Sequence, residues 1–318
     1  MIDLGHKKNY CTANTCTYCS ESSERDSCPR RGSKVIIYMF PERHTIVGVT
    51  SELVEDLTRW FSTYVQTFKN GATDIQNIVL KEEHTKRVCG EIVNIGEQLG
   101  LPDRELRLAE VTALLHDIGR FEQYARYRTF ADQRSEDHAE LGVKVLKQLG
   151  VLDQCEKSTQ DLILRTIRYH NRATLPREET EACLFFTKLL RDADKLDIWQ
   201  VVTDYYRRKD GERNGALELD LPDTPGFSDA VYQDLLNREI VDMNHVKTLN
   251  DFKLLQIGWI FDINFGPTLR AICSRQYLEI IRDALPQSKK IDTIFAIIHA
   301  YIEKRFTTSN DETGYERR

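Results

Sequence analysis

The chain has no uninterrupted apolar run of about 18 residues, so no segment of it reads as a membrane-spanning helix. Its first residues lack the apolar core of a secretory signal peptide, and the expected compartment is the cytoplasm. It has no excess of basic residues: Asp and Glu number 50 against 44 Lys and Arg, a net charge of -6. That leaves no broad footprint for a nucleic-acid backbone and narrows any such contact to a local basic cleft. It has no internal repeat and no low-complexity tract, which removes repeat arrays from consideration. What it does have is 318 residues, 41% of them hydrophobic, enough for one large domain or a main domain with appendages.

The eight cysteines fall into two sets. Cys89, Cys155, Cys183 and Cys273 sit in helical patterns and read as buried thiols, in keeping with a reducing cytosol. The other four, Cys11, Cys16, Cys19 and Cys28, form a C-x4-C-x2-C-x8-C array in a polar segment over 1–33. Four thiols in so short a stretch do not build a core, but they can encircle a zinc ion or an iron–sulfur cluster, with His6 able to replace one of them. The competing reading is a disordered tail with incidental thiols. Lys34 to Phe40 is a short β-like run closed by Pro41, and the segment as a whole is expected to span 1–45.

From Ser51 onward the pattern is helical almost throughout. Ser51 opens a capped helix to about Lys69, and Asn70-Gly71 breaks it. A helix over about 74–99 places Leu80, His84, Val88, Ile92 and Ile95 on one stripe, which turns His84 inward. The next keeps Leu108, Val111, Leu115 and Ile118 in register and delivers His116 and Asp117 to its end, with Gly119 as a stop. Phe121 to Arg134 reads as a polar, aromatic loop, and Ser135 as the cap of a helix bearing His138, Leu141, Val145 and Leu149. A helix over about 159–170 ends in His170, and one over about 178–202 aligns Cys183, Phe186, Leu190 and Asp194.

Five helices thus carry His84, His116, Asp117, His138, His170 and Asp194. A lone His on an apolar face is usually a satisfied core residue. Four of the chain's eight His residues doing so on different helices is hard to attribute to packing. An unpartnered buried carboxylate is costly, and a metal ion satisfies both residue types at once. Imidazole with carboxylate suits iron, manganese, zinc, cobalt or nickel more than calcium.

The run His116-Asp117-Ile118-Gly119-Arg120-Phe121, with Ser135-Glu136-Asp137-His138, Tyr169-His170-Asn171 and Asp192-Ala193-Asp194-Lys195-Leu196-Asp197, resembles the HD superfamily of metal-dependent phosphohydrolases over about 79–199. The resemblance implies an all-α fold, an HD-domain helical bundle over 50–202 with its metal site inside. His84, His116, Asp117 and Asp194 match the one-metal set. His138 and His170 fall where two-metal members place a second ion, with Asp117 bridging. Asp192 stays open as a rival to Asp194. The Gly-Tyr-Pro signature of the cyclic-dinucleotide branch is missing.

The implied activity is hydrolysis of a nucleotide or other small phosphate ester by water activated on one or two divalent ions. Asp117, Arg120 and Lys195 are the candidate catalytic residues. Arg120, Arg126 and Lys195 are candidates to hold phosphate oxygens, against the plain alternative of solvated surface charges. Two other classes remain: a two-iron HD-type oxygenase, and a non-enzymatic nucleotide-sensing or interaction protein. A homo-oligomer is compatible with all three. After Trp199, helices over about 251–262, 267–285 and 291–306 are expected to pack on the bundle within a segment spanning 203–306, before a loose tail over 307–318.

Overall fold

The computed structural model describes residues 49–70, 75–208 and 214–314. The array Cys11, Cys16, Cys19 and Cys28, His6 and the run 34–40 lie outside the described residues. Within them the fold is all-helical, with no strand.

Thr50 caps α1 (Ser51–Lys69): its hydroxyl accepts from Leu53 N–H at 3.2 Å. The cap is therefore one residue before the Ser51 expected from sequence. Leu53, Leu57, Phe61 and Val65, four apart, form the buried face. α2 (Gln76–Gln98) packs on α3 (Asp103–Leu115) and on the long α7 (Glu181–Arg207). Between them α4 (Ile118–Tyr127), α5 (His138–Gln148) and α6 (Lys157–Tyr169) pack in sequence, α4 on α5, α5 on α6 and α6 on α7.

α4 corrects the expected loop over 121–134. Phe121 and Tyr124 are buried three residues apart, and Glu122 pairs with Arg126 at 2.8 Å across one turn, both helical spacings. The helix ends at Arg128, whose φ of 56° is left-handed, and the true loop is 128–137 with a short 3₁₀ turn at Asp132–Arg134. α5 is capped by Asp137, which accepts from Ala139 and Glu140 N–H. Ser135, the expected cap, instead donates to Ala131 O at 2.9 Å.

Gly119, expected as a helix stop, lies in the first turn of α4 and makes a close helix crossing. A Cβ there would lie 2.1 Å from His138 O and 2.6 Å from Gly142 N, both backbone. Gly119→Ala must therefore push α5 away, and overpacking of this kind costs roughly 1–3 kcal/mol or more. A lowered Tm is the expected result, and an unchanged thermal unfolding curve would show that the crossing has slack.

The C-terminal part adds α8 (Gly215–Glu218), α9 (Asp229–Leu236), α10 (Leu249–Gly258), α11 (Gly266–Ser274), α12 (Tyr277–Asp283) and α13 (Lys289–Gly314). α11 and α12 pack on α7, and one apolar cluster runs from Val49 to Ile302. Trp199 joins the two halves, donating its indole N–H to Gln256 O at 3.1 Å and stacking on Tyr277. The single helix expected over 267–285 is broken at Gln276, with φ 57°. There Arg275 reaches Glu91 on α2 at 2.5 Å while Tyr277 is buried, so tertiary contacts override helical propensity. α13 continues through the expected tail as far as Gly314. Of the four scattered thiols, Cys183 is buried, Cys89 and Cys155 are half-buried, and Cys273 is exposed, contrary to expectation. No helix among the described residues is long and apolar enough to cross a membrane.

Candidate metal centre

α2, the α3–α4 junction, α5, the end of α6 and α7 surround one buried cluster. His84 comes from α2, and His116 and Asp117 from the two-residue break between α3 and α4. His138 is the first residue of α5, His170 follows the last of α6, and Asp194 lies mid-way along α7. α4 intervenes in the chain without supplying any of the six.

The two oxygens of Asp117 face different partners. Oδ2 lies 3.5 Å from His84 Nε2 and 3.7 Å from His116 Nε2. Oδ1 lies 3.4 Å from His138 Nε2 and 3.9 Å from His170 Nε2. Asp194 stands on the first side, its Oδ1 3.1 Å from His84 Nε2 and 3.7 Å from His116 Nε2. Asp192 does not compete: its carboxylate accepts from the backbone N–H groups of Asn264 and Phe265 and from the Asn264 amide, so it anchors the chain entering α11.

All four imidazoles present the same nitrogen inward because the other is engaged. His84 Nδ1 is 2.6 Å from Asp197 Oδ2, and His138 Nδ1 is 2.7 Å from Asp132 Oδ2. His116 Nδ1 and His170 Nδ1 each lie 2.7 Å from a backbone carbonyl, of Ala113 and Ile167. Those acceptors call for a proton on Nδ1, which leaves each Nε2 with a lone pair aimed at the cluster. His84 Nε2 and His116 Nε2 are buried without a hydrogen-bond partner, and His138 Nε2 faces His170 Nε2 at 3.1 Å. Converging lone pairs and carboxylates repel one another unless a cation lies between them, so the donor set fits a metal ion.

For Asp117, Asp194, His138 and His170 the electrostatics agree with this fit. Burial opposes ionisation of Asp117 and Asp194, yet both carboxyls are held well below their usual range, Asp117 by Lys81 and the neighbouring imidazoles and Asp194 by the His116 and His84 imidazoles beside it. Burial, with His138 and His116 nearby, pushes His170 down to about 3, which keeps it a neutral donor. His138 is lowered by burial and by Arg120. For His84, burial and Lys81 oppose protonation, but the nearby Asp194 carboxylate and the hydrogen bond to Asp197 outweigh them and raise its pKa.

The remaining candidate residues part company. Arg120 stays at the cluster, Nε 3.5 Å from Asp117 Oδ1, while its Nη1 bonds Phe130 O and Asp132 Oδ1 and so ties the 128–137 loop to the site. Lys195 is in an ion pair with Asp262, Nζ to Oδ2 2.7 Å, and Arg191 binds the same carboxylate and the carbonyl of His170. Lys195 is thereby neutralised by Asp262, away from the cluster, and Arg191 braces the end of α6. Arg126 is exposed and pairs with Glu122 and Glu136 on the surface.

Sequence reasoning missed three residues. Asp197, held by Arg87, orients His84, and its place three residues after Asp194 on α7 was the signal for it. Lys81, with Nζ 2.8 Å from Asp117 Oδ2, sits one turn before His84 on the same stripe of α2. Asp132 orients His138 from an irregular loop, where no spacing announces it.

Residues 82–199, which hold all six cluster residues, match the family model described as HD domain. Such domains bind divalent metals, and His84, His116 and Asp194, and likewise His116, Asp117 and His170, bring their ligand atoms within 4.8 Å of one another. The matched stretch begins six residues into α2 and ends at Trp199, so α1 and the helices from α8 onward lie outside it. No curated protein and no solved structure matches the chain.

Proposed function

We propose that the protein is a metal-dependent phosphohydrolase acting on a nucleotide or another small phosphate ester. The observation that carries this reading is the division of Asp117: one oxygen toward His84, His116 and Asp194, the other toward His138 and His170. A carboxylate so placed can serve two ions at once, and the HD family is largely one of phosphohydrolases.

Divalent ions held by His84, His116, Asp117, His138, His170 and Asp194 would supply a water of lowered pKa and a Lewis acid for a phosphoryl oxygen. The chain's own residues supply the rest. Asp197 and Asp132 hold His84 and His138 in the tautomer that offers Nε2. Arg120 fixes the loop that closes one side of the site and brings a positive charge next to Asp117. Neutral His170 and ionised Asp117 and Asp194 keep the donor set ready near neutral pH.

Protein purified without chelator and loaded with Mn²⁺, Fe²⁺, Zn²⁺, Co²⁺ or Ni²⁺ should release inorganic phosphate in a screen of nucleotides and phosphomonoesters. Chelation should abolish the release, and returning the ion should restore it. Oxygen uptake without phosphate release would instead assign the same residues to a two-iron oxygenase, and neither activity would favour a nucleotide-sensing role.

A further inference from the structure

Two cations flank Asp117, and they are not equivalent. Arg120 stands beside Oδ1 and is fastened at its other end: Nη1 bonds Gln123 Oε1 at 2.9 Å, Phe130 O at 2.6 Å and Asp132 Oδ1 at 2.9 Å. Lys81 stands beside Oδ2 at 2.8 Å, and among the described residues Asp117 is the one hydrogen-bond partner of its ammonium. Its ammonium also lies 5.5 Å from the centre of the Phe130 ring.

Oδ2 is the oxygen that His84 and His116 face, so a divalent ion bound on that side must share Asp117 with the lysine. Two like charges a few ångströms apart in a poorly solvated site repel strongly. The fixed partners of the ion, two imidazoles and two carboxylates, are held by buried helices. The lysine is held by a flexible four-carbon stem, and its side chain keeps 17% of its surface exposed. Lys81 is therefore the group that moves. Of the six cluster side chains Asp194, which stands on the same side as Oδ2, is the most exposed, at 19%.

We propose that Lys81 exchanges Asp117 for an anionic oxygen of the substrate when the metal is bound, which makes it a substrate-binding residue. That the anion is a phosphoryl group rests on the phosphohydrolase reading. Charge would be conserved at the site by this exchange: the ion takes over neutralisation of Asp117, and the freed ammonium neutralises the incoming phosphate.

The test is a pair of calorimetric titrations, Mn²⁺ into the protein and inorganic phosphate into the Mn²⁺-loaded protein, for wild type, Lys81→Met and Lys81→Arg. Mn²⁺ is chosen because it prefers oxygen and imidazole donors over the N-terminal thiols. Lys81→Met should bind Mn²⁺ at least as tightly as wild type, since a competitor for Oδ2 is gone. It should bind phosphate roughly ten- to a hundredfold more weakly, the effect of losing one charge-assisted hydrogen bond. Lys81→Arg should retain most of the phosphate affinity. If Lys81→Met loses Mn²⁺ affinity, the lysine is a structural counter-ion of Asp117 and the proposal is wrong. Equal phosphate binding by wild type and Lys81→Met would also overturn it, while leaving the hydrolase reading intact. Loaded wild type that neither binds phosphate nor releases it from any ester would remove the hydrolase reading and Lys81's role with it.

Discussion

Asp117→Ala should empty the bundle of metal and abolish phosphate release, by about a thousandfold or more, while the protein stays helical. A thousandfold corresponds to roughly 4 kcal/mol of transition-state stabilisation. The size of the effect follows from geometry: Asp117 is the one carboxylate with an oxygen toward each pair of imidazoles. Its loss removes an anionic donor from both groups together. The fold should survive because the Asp117 side chain does not cap α4, and because Lys81 can reach solvent once its partner is gone. Arg120 keeps Asp132 as a counter-ion. Some loss of stability is expected all the same, since removing one member of a buried ion pair is destabilising. Circular dichroism, metal analysis and the phosphate-release assay on one preparation check all three parts. Full turnover by a folded Asp117→Ala protein would remove the hydrolase reading.

The second large effect concerns His138 and His170. Each should be needed for one of two ions. His138→Ala or His170→Ala should lower Mn²⁺ occupancy of the bundle from two ions to one, while His84, His116, Asp117 and Asp194 hold the other. Turnover should fall steeply, because losing one of two ions removes either the activation of water or the stabilisation of the developing charge. If these histidines contact substrate or carry protons beside a single ion, the same substitutions lower turnover and leave occupancy unchanged. The two outcomes separate by equilibrium dialysis against Mn²⁺. The 3.1 Å approach of His138 Nε2 to His170 Nε2 favours the first, since two neutral acceptors do not face each other without a cation.

Much of this architecture is written in helical spacing. The stripe Leu80–His84–Val88–Ile92 turned His84 inward, and Phe186–Leu190–Asp194 did the same for Asp194, because an amphipathic helix must bury its apolar face whatever the partner. That stripe favoured Asp194 and left Asp192 as a rival; the chain entering α11 explains Asp192, whose carboxylate captures the Asn264 and Phe265 amides. Lys195 was misread because adjacency in sequence says nothing about direction around a helix: Asp262, which neutralises it, lies 67 positions further along the chain. The loop expected over 121–134 failed for a different reason. Its polar composition outweighed the i, i+3 pair Phe121–Tyr124, yet burial of those rings decides the helix. Asp132 and the Gly119 crossing are tertiary facts, fixed by which helices meet.

The central claim is that Asp117 joins two ions. Electron paramagnetic resonance of the full chain loaded with Mn²⁺ tests it most directly, because two Mn²⁺ ions that shared one carboxylate would be magnetically coupled. Two Mn²⁺ per chain with a coupled spectrum, converting to one uncoupled ion in His170→Ala, is the expected result. One ion per chain in the wild type, or two ions without coupling, would contradict it.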